Sequence, residues 1–247
     1  MKISVVIPVY NKEKYMDDLF QCLLSQTFEE SECILIDDGS TDASGEICDK
    51  VACIDKRFEV IHIPNSGVSH ARNVGIDASC GEYITFIDAD DRIPNNYLEN
   101  LYETIIESGV DLSICTITKI WHSGKKKKIQ LPGSGTFDIS ELLLNFADYQ
   151  KKTGIYGYCC GKIILKELVG NIRFDERIKL AEDFDFFLKL YPKVALMIKQ
   201  NIFIFRNQRI HQLWLRIVKL TIEHSCLLIF AINIFLKKKM FIAEVMS

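Results

Sequence analysis

Short, almost unbroken apolar runs alternate along the first half of the chain with longer segments whose apolar residues recur every three or four positions. The runs lie near 3–9, 33–37, 58–63 and 83–88, beginning with Ile3-Ser4-Val5-Val6-Ile7. Such runs are how strands covered on both faces read. Between them, helical spacing near 13–25 brings Tyr15, Leu19, Cys22 and Leu23 to one face, spacing near 42–54 does the same for Ala43, Ile47 and Val51, and a third helical pattern occupies 69–79. Strand and helix in alternation predict βαβ units, hence an α/β fold with a mostly parallel sheet flanked by helices. Pro94 opens a further helix with Leu98, Leu101, Ile105 and Ile106 at helical spacing, and Asp111-Leu112-Ser113-Ile114-Cys115 predicts the next strand.

Beyond residue 120 the pattern loosens. Trp121 to Gly135 predicts a loop with Lys125-Lys126-Lys127-Lys128 at a solvated tip; attraction to an acidic acceptor or an anionic lipid surface is the second reading of the four lysines. Phe137-Asp138-Ile139-Ser140-Glu141 predicts a helix start, and Ala181-Glu182-Asp183-Phe184-Asp185-Phe186-Phe187 predicts acids opening an aromatic-rich helix. A tail over 208–247 carries the apolar run Cys226–Leu236 followed by Lys237, Lys238 and Lys239. Glu223-His224 interrupt the roughly twenty apolar residues that a spanning helix needs, so the tail predicts a helical extension lying on the domain or on a membrane surface.

Composition narrows the class. A chain of 247 residues, 48% hydrophobic and 26% charged, builds one enzyme-sized domain with a substantial core and is no disordered segment. A net charge of −3 and a pI near 6.0 supply no broad basic field, which speaks against nucleic acid as a partner. Nine cysteines without a C-x-x-C spacing predict reduced, packed thiols in a cytoplasmic protein. The first apolar run contains Pro8 and no small-residue cleavage site, so it is expected to be a strand rather than a signal peptide. Tyr10-Asn11-Lys12-Glu13 stands where a dinucleotide-binding Gly-x-Gly-x-x-Gly turn would follow the first strand, which argues against a dinucleotide-dependent oxidoreductase.

The chemistry gathers at strand ends. The fourth run delivers Asp88-Ala89-Asp90-Asp91, and the second delivers Asp37-Asp38-Gly39-Ser40-Thr41-Asp42. Parallel strands place their carboxyl ends at the ligand crevice, where carboxylates can hold a hard divalent ion against a phosphate-bearing substrate. Acidic turns capping the following helices are the other reading of both clusters.

Pro8-Val9-Tyr10-Asn11, Ser25-Gln26-Thr27, Ile36–Asp42, Asn65-Ser66-Gly67-Val68-Ser69-His70-Ala71-Arg72-Asn73-Val74-Gly75 and Phe86–Asp91 follow one another in order and spacing. Together they resemble the successive motifs of family 2 inverting glycosyltransferases, over residues 1 to about 207. The resemblance implies the GT-A fold, a Rossmann-like mostly parallel central sheet flanked by helices. It also implies a nucleotide diphosphate sugar donor, usually a uridine diphosphate sugar, with Mn²⁺ or Mg²⁺. A donor-binding half over about 1–118 and an acceptor and catalytic half over about 119–207 follow from it.

By the same resemblance Asp38 accepts the uracil imide N–H, Asp88 meets the ribose hydroxyls, Asp90 holds the metal, and Asp183 is the base. Gly161-Lys162-Ile163 upstream also matches the family's pattern before that Glu-Asp element. Tyr10 lies flat against the base, Pro8 and Asn11 shape the same edge, and Arg72 comes within reach of base and diphosphate. The implied acceptor is a glycan or lipid-linked glycan of a bacterial surface polysaccharide, met at the inner face of the membrane. No Gln-x-x-Arg-Trp motif is present, which points to transfer of one sugar at a time. A nucleotidyltransferase and a noncatalytic nucleotide-sugar-binding module stand as alternatives.

Overall fold

A computed structural model describes residues 1–121, 123–129, 135–137, 150, 154–193 and 196–208. Strand β1 (Ile3–Val9) lies between β2 (Ser31–Asp38) and β4 (Tyr83–Phe86), and β2 also pairs with β3 (Phe58–Ile63), all in parallel. Val9 sits opposite Asp37 and Asp38 opposite Ile63, so the carboxyl ends of β1 to β3 finish level with one another. Helices α1 (Glu13–Leu24), α2 (Ser44–Ile54) and α3 (Val68–Ala78) are the connections between these strands. Val5, Val6, Ile7, Ile34, Leu35 and Ile36 are fully buried, as expected of strands covered on both faces. Helix α3 packs so closely on β1 that a Cβ at Gly75 would collide with the Val6 side chain.

Among the described residues the sheet has ten strands. Past β4 it continues with β9 (Lys162–Leu165), which runs antiparallel to both of its neighbours, β4 and β6 (Leu112–Trp121). Next come β10 (Leu196–Gln208), parallel to β6, and the short β5 (Asp91–Arg92). The hairpin strand β7 (Lys126–Ile129) pairs with β6, and β8 (Gly135–Phe137) with β10. The α/β architecture with a largely parallel central sheet is therefore as the pattern predicts.

Several details differ. Strand β6 runs six residues past Cys115, to Trp121, because β7 and β10 give its second half pairing partners. Three of the four clustered lysines lie in a strand, not a loop: Lys126, Lys127 and Lys128 are exposed and Ile129 is buried. Lysines on a peripheral strand keep it from pairing with other chains. Phe137 ends a strand instead of opening a helix, and 138–149 lie outside the described residues, as does the tail after Gln208. Helix α4 (Tyr97–Ser108) starts three residues after Pro94, held by Gln26, which donates to the Pro94 carbonyl at 2.7 Å and accepts from the Leu98 N–H at 3.1 Å. Met16 and Phe20 join Leu19 and Leu23 in the core, with Cys22 only partly buried against it, and α2 buries Cys48 and Val51 with Ile47 partly buried against the same core.

The second half is joined to the first through aromatics. Phe174 stacks on Phe186 with ring centroids 4.2 Å apart, and Phe86 at the end of β4 meets both edge-on at 5.5 and 6.0 Å. Phe186 belongs to α6 (Glu182–Leu190), which follows the single-turn α5 (Lys166–Val169). This cluster seats the first turn of α6 beside the loop that leaves β4. Among the described residues no helix is long and apolar enough to cross a membrane.

Candidate active site

The level carboxyl ends of the parallel strands open into a cleft of about 620 Å³. Pro8, Tyr10, Asn11, Asp38, Arg72, Asp88 and Asp90 all line it, together with Lys12, Asn65 and Gly67. The seven donor-half residues named from the sequence are thus brought together. Tyr10 is at the rim, 46% exposed, with its ring available to an incoming planar group.

The walls of the cleft are held by side chains bonded to neighbouring loops. Asn11 adopts a left-handed backbone with φ of 50°, a conformation asparagine tolerates better than most residues. Its Oδ1 accepts from the Thr41 N–H at 2.8 Å, while its own N–H donates to Ser40 Oγ at 3.1 Å. Asp38 is buried, and its two carboxylate oxygens accept from the Ser66 and Gly67 N–H groups at 2.7 and 2.9 Å. Those bonds fix the entry to α3. Asp42, not Asp38, serves the helix after Ser40: it accepts from the Ser44 N–H at 3.0 Å. Gly39 makes the turn between them at φ of 65°, where a Cβ would come within 2.7 Å of the Asn65 nitrogen.

Arg72 links this cleft to the second half. It is 3% exposed, projects from α3, and donates from Nη2 to Asp88 Oδ1 at 3.0 Å and from Nη1 to Glu182 Oε1 at 2.9 Å. Its Nε is buried without a hydrogen-bond partner. Burial opposes the guanidinium charge, but Cys159, Asp88, Asp183 and Glu182 together outweigh it and leave the pKa above the ordinary arginine value. The guanidinium also lies over the Phe174 ring at 5.3 Å. Next to it, Asn73 donates to the Phe174 carbonyl at 3.0 Å and accepts from the Phe174 N–H at 2.8 Å. One face of α3 therefore grips the chain that leads into α6.

Asp183 does not line the donor cleft; it lies in the first turn of α6, 8% exposed, within electrostatic reach of Arg72. Ala181 precedes the helix at φ of 65°, a left-handed conformation unfavourable for alanine, and this sharp entry orients Glu182 and Asp183. Lys162 of β9 is fully buried, donates to the Tyr158 carbonyl and stands 4.4 Å above the Phe187 ring. Burial lowers its pKa to about 8, against the raising influence of Asp183 and nearby thiols.

The ion implied by the resemblance needs oxygen ligands. Among the described residues no group of three or more His, Cys, Asp or Glu side chains is placed to hold a metal. Asp90 points a carboxylate into the cleft, and there it already holds a cation, the Lys12 ammonium, at 2.8 Å. This donor set fits Mg²⁺ or Mn²⁺ that takes one protein carboxylate and completes its shell from diphosphate and water; it does not fit a closed protein cage. Lys12 and Glu182 gain roles that the sequence did not disclose. The signals were there: Lys12 directly follows Asn11 in the strand-end motif, and Glu182 directly precedes Asp183.

A parallel sheet edge carrying acidic strand ends, faced by an acidic helix start from the second half, defines a glycosyltransferase of the GT-A fold. Residues 4–168 match the family model for glycosyl transferase family 2, and the chain belongs to that family. GlyG of Streptococcus pneumoniae, a glycosyltransferase, is 33% identical over 215 residues, which cover 83% of this chain and 71% of GlyG. GgaB of Bacillus subtilis, a minor teichoic acid biosynthesis protein, is 33% identical over 184 residues, covering 73% of this chain and 20% of GgaB. The crystal structure of S. aureus TarS 1–349 in complex with UDP-GlcNAc superposes with a TM-score of 0.72 at 25% identity, covering 86% of this chain and 60% of that one. The chain thus spans only part of the length of these relatives.

Proposed function

We propose that this chain moves one sugar, with inversion, from a uridine diphosphate sugar to a hydroxyl of a glycan or lipid-linked glycan, with Mn²⁺ or Mg²⁺, at the cytoplasmic face of the membrane during synthesis of a bacterial surface polysaccharide. The observation that carries this reading is the Arg72 bridge, which places the acidic start of α6 against the cleft lined by Asp88 and Asp90. The donor class is supported by the UDP-GlcNAc bound to TarS, and the polysaccharide setting by GgaB.

In this mechanism the nucleotide lies along the Pro8–Asn11 edge, with Tyr10 against the base and Asp38 at its polar edge. Asp88 meets the ribose hydroxyls. Asp90 would hold the ion, which supplies charge neutralisation for the departing diphosphate when bound. Asp183, as a carboxylate, takes the proton of the acceptor hydroxyl while that oxygen forms its bond to the anomeric carbon from the face opposite the leaving group. The bond to the diphosphate oxygen breaks in the same displacement, so the anomeric configuration inverts. Arg72 keeps Asp88 and the start of α6 in register.

Asp183→Asn tests the assignment. It keeps the donor dissociation constant near that of the native protein and lowers turnover by roughly a hundredfold or more, the usual scale for a general base. Titration calorimetry and NMR of the product anomer read the two effects. Near-native turnover, a retained anomer, or release of pyrophosphate in place of nucleoside diphosphate each overturns the proposal.

A further inference from the structure

The Lys12–Asp90 pair has a geometry that bears on how metal and donor enter. Lys12 Nζ lies 2.8 Å from Asp90 Oδ2, and both side chains are largely withdrawn from solvent, at 28% and 18% exposure. The backbone beneath Lys12 is fixed: its N–H donates to Ser44 Oγ at 2.7 Å, one residue after the left-handed turn at Asn11. The side chain passes by the Tyr15 ring, with the ammonium 5.6 Å from the ring centre. The anchor is rigid, and the charged head sits on a flexible four-carbon stem.

We infer that Lys12 is a placeholder cation that neutralises Asp90 in the donor-free protein and passes to the donor diphosphate when the metal arrives. This rests on the reading of Asp90 as the metal ligand. A divalent ion on the Asp90 carboxylate and an ammonium on the same carboxylate repel each other strongly across a few ångströms of partly dry cleft. Metal alone must therefore displace Lys12 without compensation and binds weakly. A nucleoside diphosphate changes the balance, because its oxygens give the released ammonium a new anionic partner and complete the shell of the ion. Metal and donor then strengthen each other's binding, which disfavours a bare divalent ion in the cleft.

Mn²⁺ binding to the full chain, measured by electron paramagnetic resonance and calorimetry without nucleotide, tests the inference. Lys12→Met tightens nucleotide-free Mn²⁺ binding on the order of tenfold and weakens metal-free binding of uridine diphosphate by roughly fivefold. Lys12→Arg preserves the native values of both. Thermal melting confirms that each variant is folded. Asp90→Asn separates the inference from its foundation: it abolishes the Mn²⁺ dependence of uridine diphosphate binding if Asp90 is the ligand. Unchanged Mn²⁺ affinity in Lys12→Met, with Asp90→Asn still abolishing that dependence, overturns the placeholder role alone. Retained Mn²⁺ dependence in Asp90→Asn overturns the metal assignment and the placeholder role together.

Discussion

Arg72 illustrates how a single side chain can be more structural than its charge suggests. Its two terminal nitrogens are engaged by carboxylates more than ninety residues apart in the chain, Asp88 and Glu182, and all three side chains are largely buried. Removing the guanidinium leaves both acids without their partner in a poorly solvated place. Arg72→Met is therefore expected to cost about 3–5 kcal/mol in urea denaturation, and adding Glu182→Gln to recover part of that loss. An additive double mutant would show that the two residues are not coupled. Asp38 is similarly committed. Because both of its oxygens accept backbone N–H groups, Asp38→Ala should lower stability by about 1–3 kcal/mol and blunt the preference for uridine over cytidine diphosphate in competition binding. Unchanged stability would remove the structural part of that role. The identities of these residues were legible in the sequence because each sits in a compact motif at a strand end. Their partners were not, since Ser66, Glu182 and Lys12 meet them only through tertiary packing.

Among the elements, strands were the easier to foresee. The runs at 3–9 and 58–63 match β1 and β3: β1 is apolar and buried on both faces, and β3, at the edge, still reads as a β-prone run with sharp ends where polar loops begin. Helix starts were harder, as at α4, where Gln26 supplies the bonds that place the first turn and nothing within the helix marks it. The strand character of Lys126–Ile129 was hidden for a related reason: its lysines face solvent, and its register comes from β6. One tie between elements depends on pH. His62 of β3 has Nδ1 2.8 Å from Asp37 Oδ2 of β2 and Nε2 3.1 Å from Asp49 Oδ1 of α2. The hydrogen bonds with Asp37 and Asp49 raise its pKa above 6.5; burial pushes the Asp37 carboxyl up, but bonds from Ser40 and His62 outweigh it and hold it below 3.8. A raised histidine pKa stabilises the fold fully below the unfolded-state value and loses that contribution as pH rises through the folded-state value. The lowered Asp37 acts in the opposite sense, contributing above its unfolded value and failing in acid. The tie is thus strongest between about pH 4 and 6.5. His62→Gln should remove the loss of melting temperature between pH 6 and pH 8.5 that His62 contributes, leaving only the part set by other groups such as Lys162. The effect corresponds to under about 1 kcal/mol, because the ring is half exposed and screened. Parallel pH curves for the two proteins would exclude the tie.

For the whole molecule, the largely parallel sheet was readable from the alternation of elements, whereas the strand order was not. Nothing in Lys162-Ile163-Ile164-Leu165 announces that it inserts between β4 and β6, because placement in a sheet depends on which edges remain open. The proposed division at about residue 118 separates the cleft-lining residues from Asp183. It does not suit the folding unit. A fragment of residues 1–118 lacks both β9 and β10, so it should aggregate or show a broad, noncooperative unfolding transition, whereas a fragment ending at Gln208 should unfold cooperatively. A sharp transition for the shorter fragment, monitored by circular dichroism, would refute this.

The antiparallel strand β9 also sets a timetable for synthesis. As the chain leaves the ribosome, β4 emerges and finds β1 waiting, but its other edge has no partner until residue 165 is out, nearly eighty residues later. At ordinary elongation rates of roughly 5–20 residues per second, a hydrophobic strand with an open flank persists for several seconds. That interval falls within the milliseconds to minutes over which separate chains associate, so neighbouring chains on one message have time to pair through such an edge. Slow stretches of translation or a bound chaperone would have their greatest effect here, after the loops that line the cleft have been made and before the helix carrying Glu182 exists to pair with Arg72.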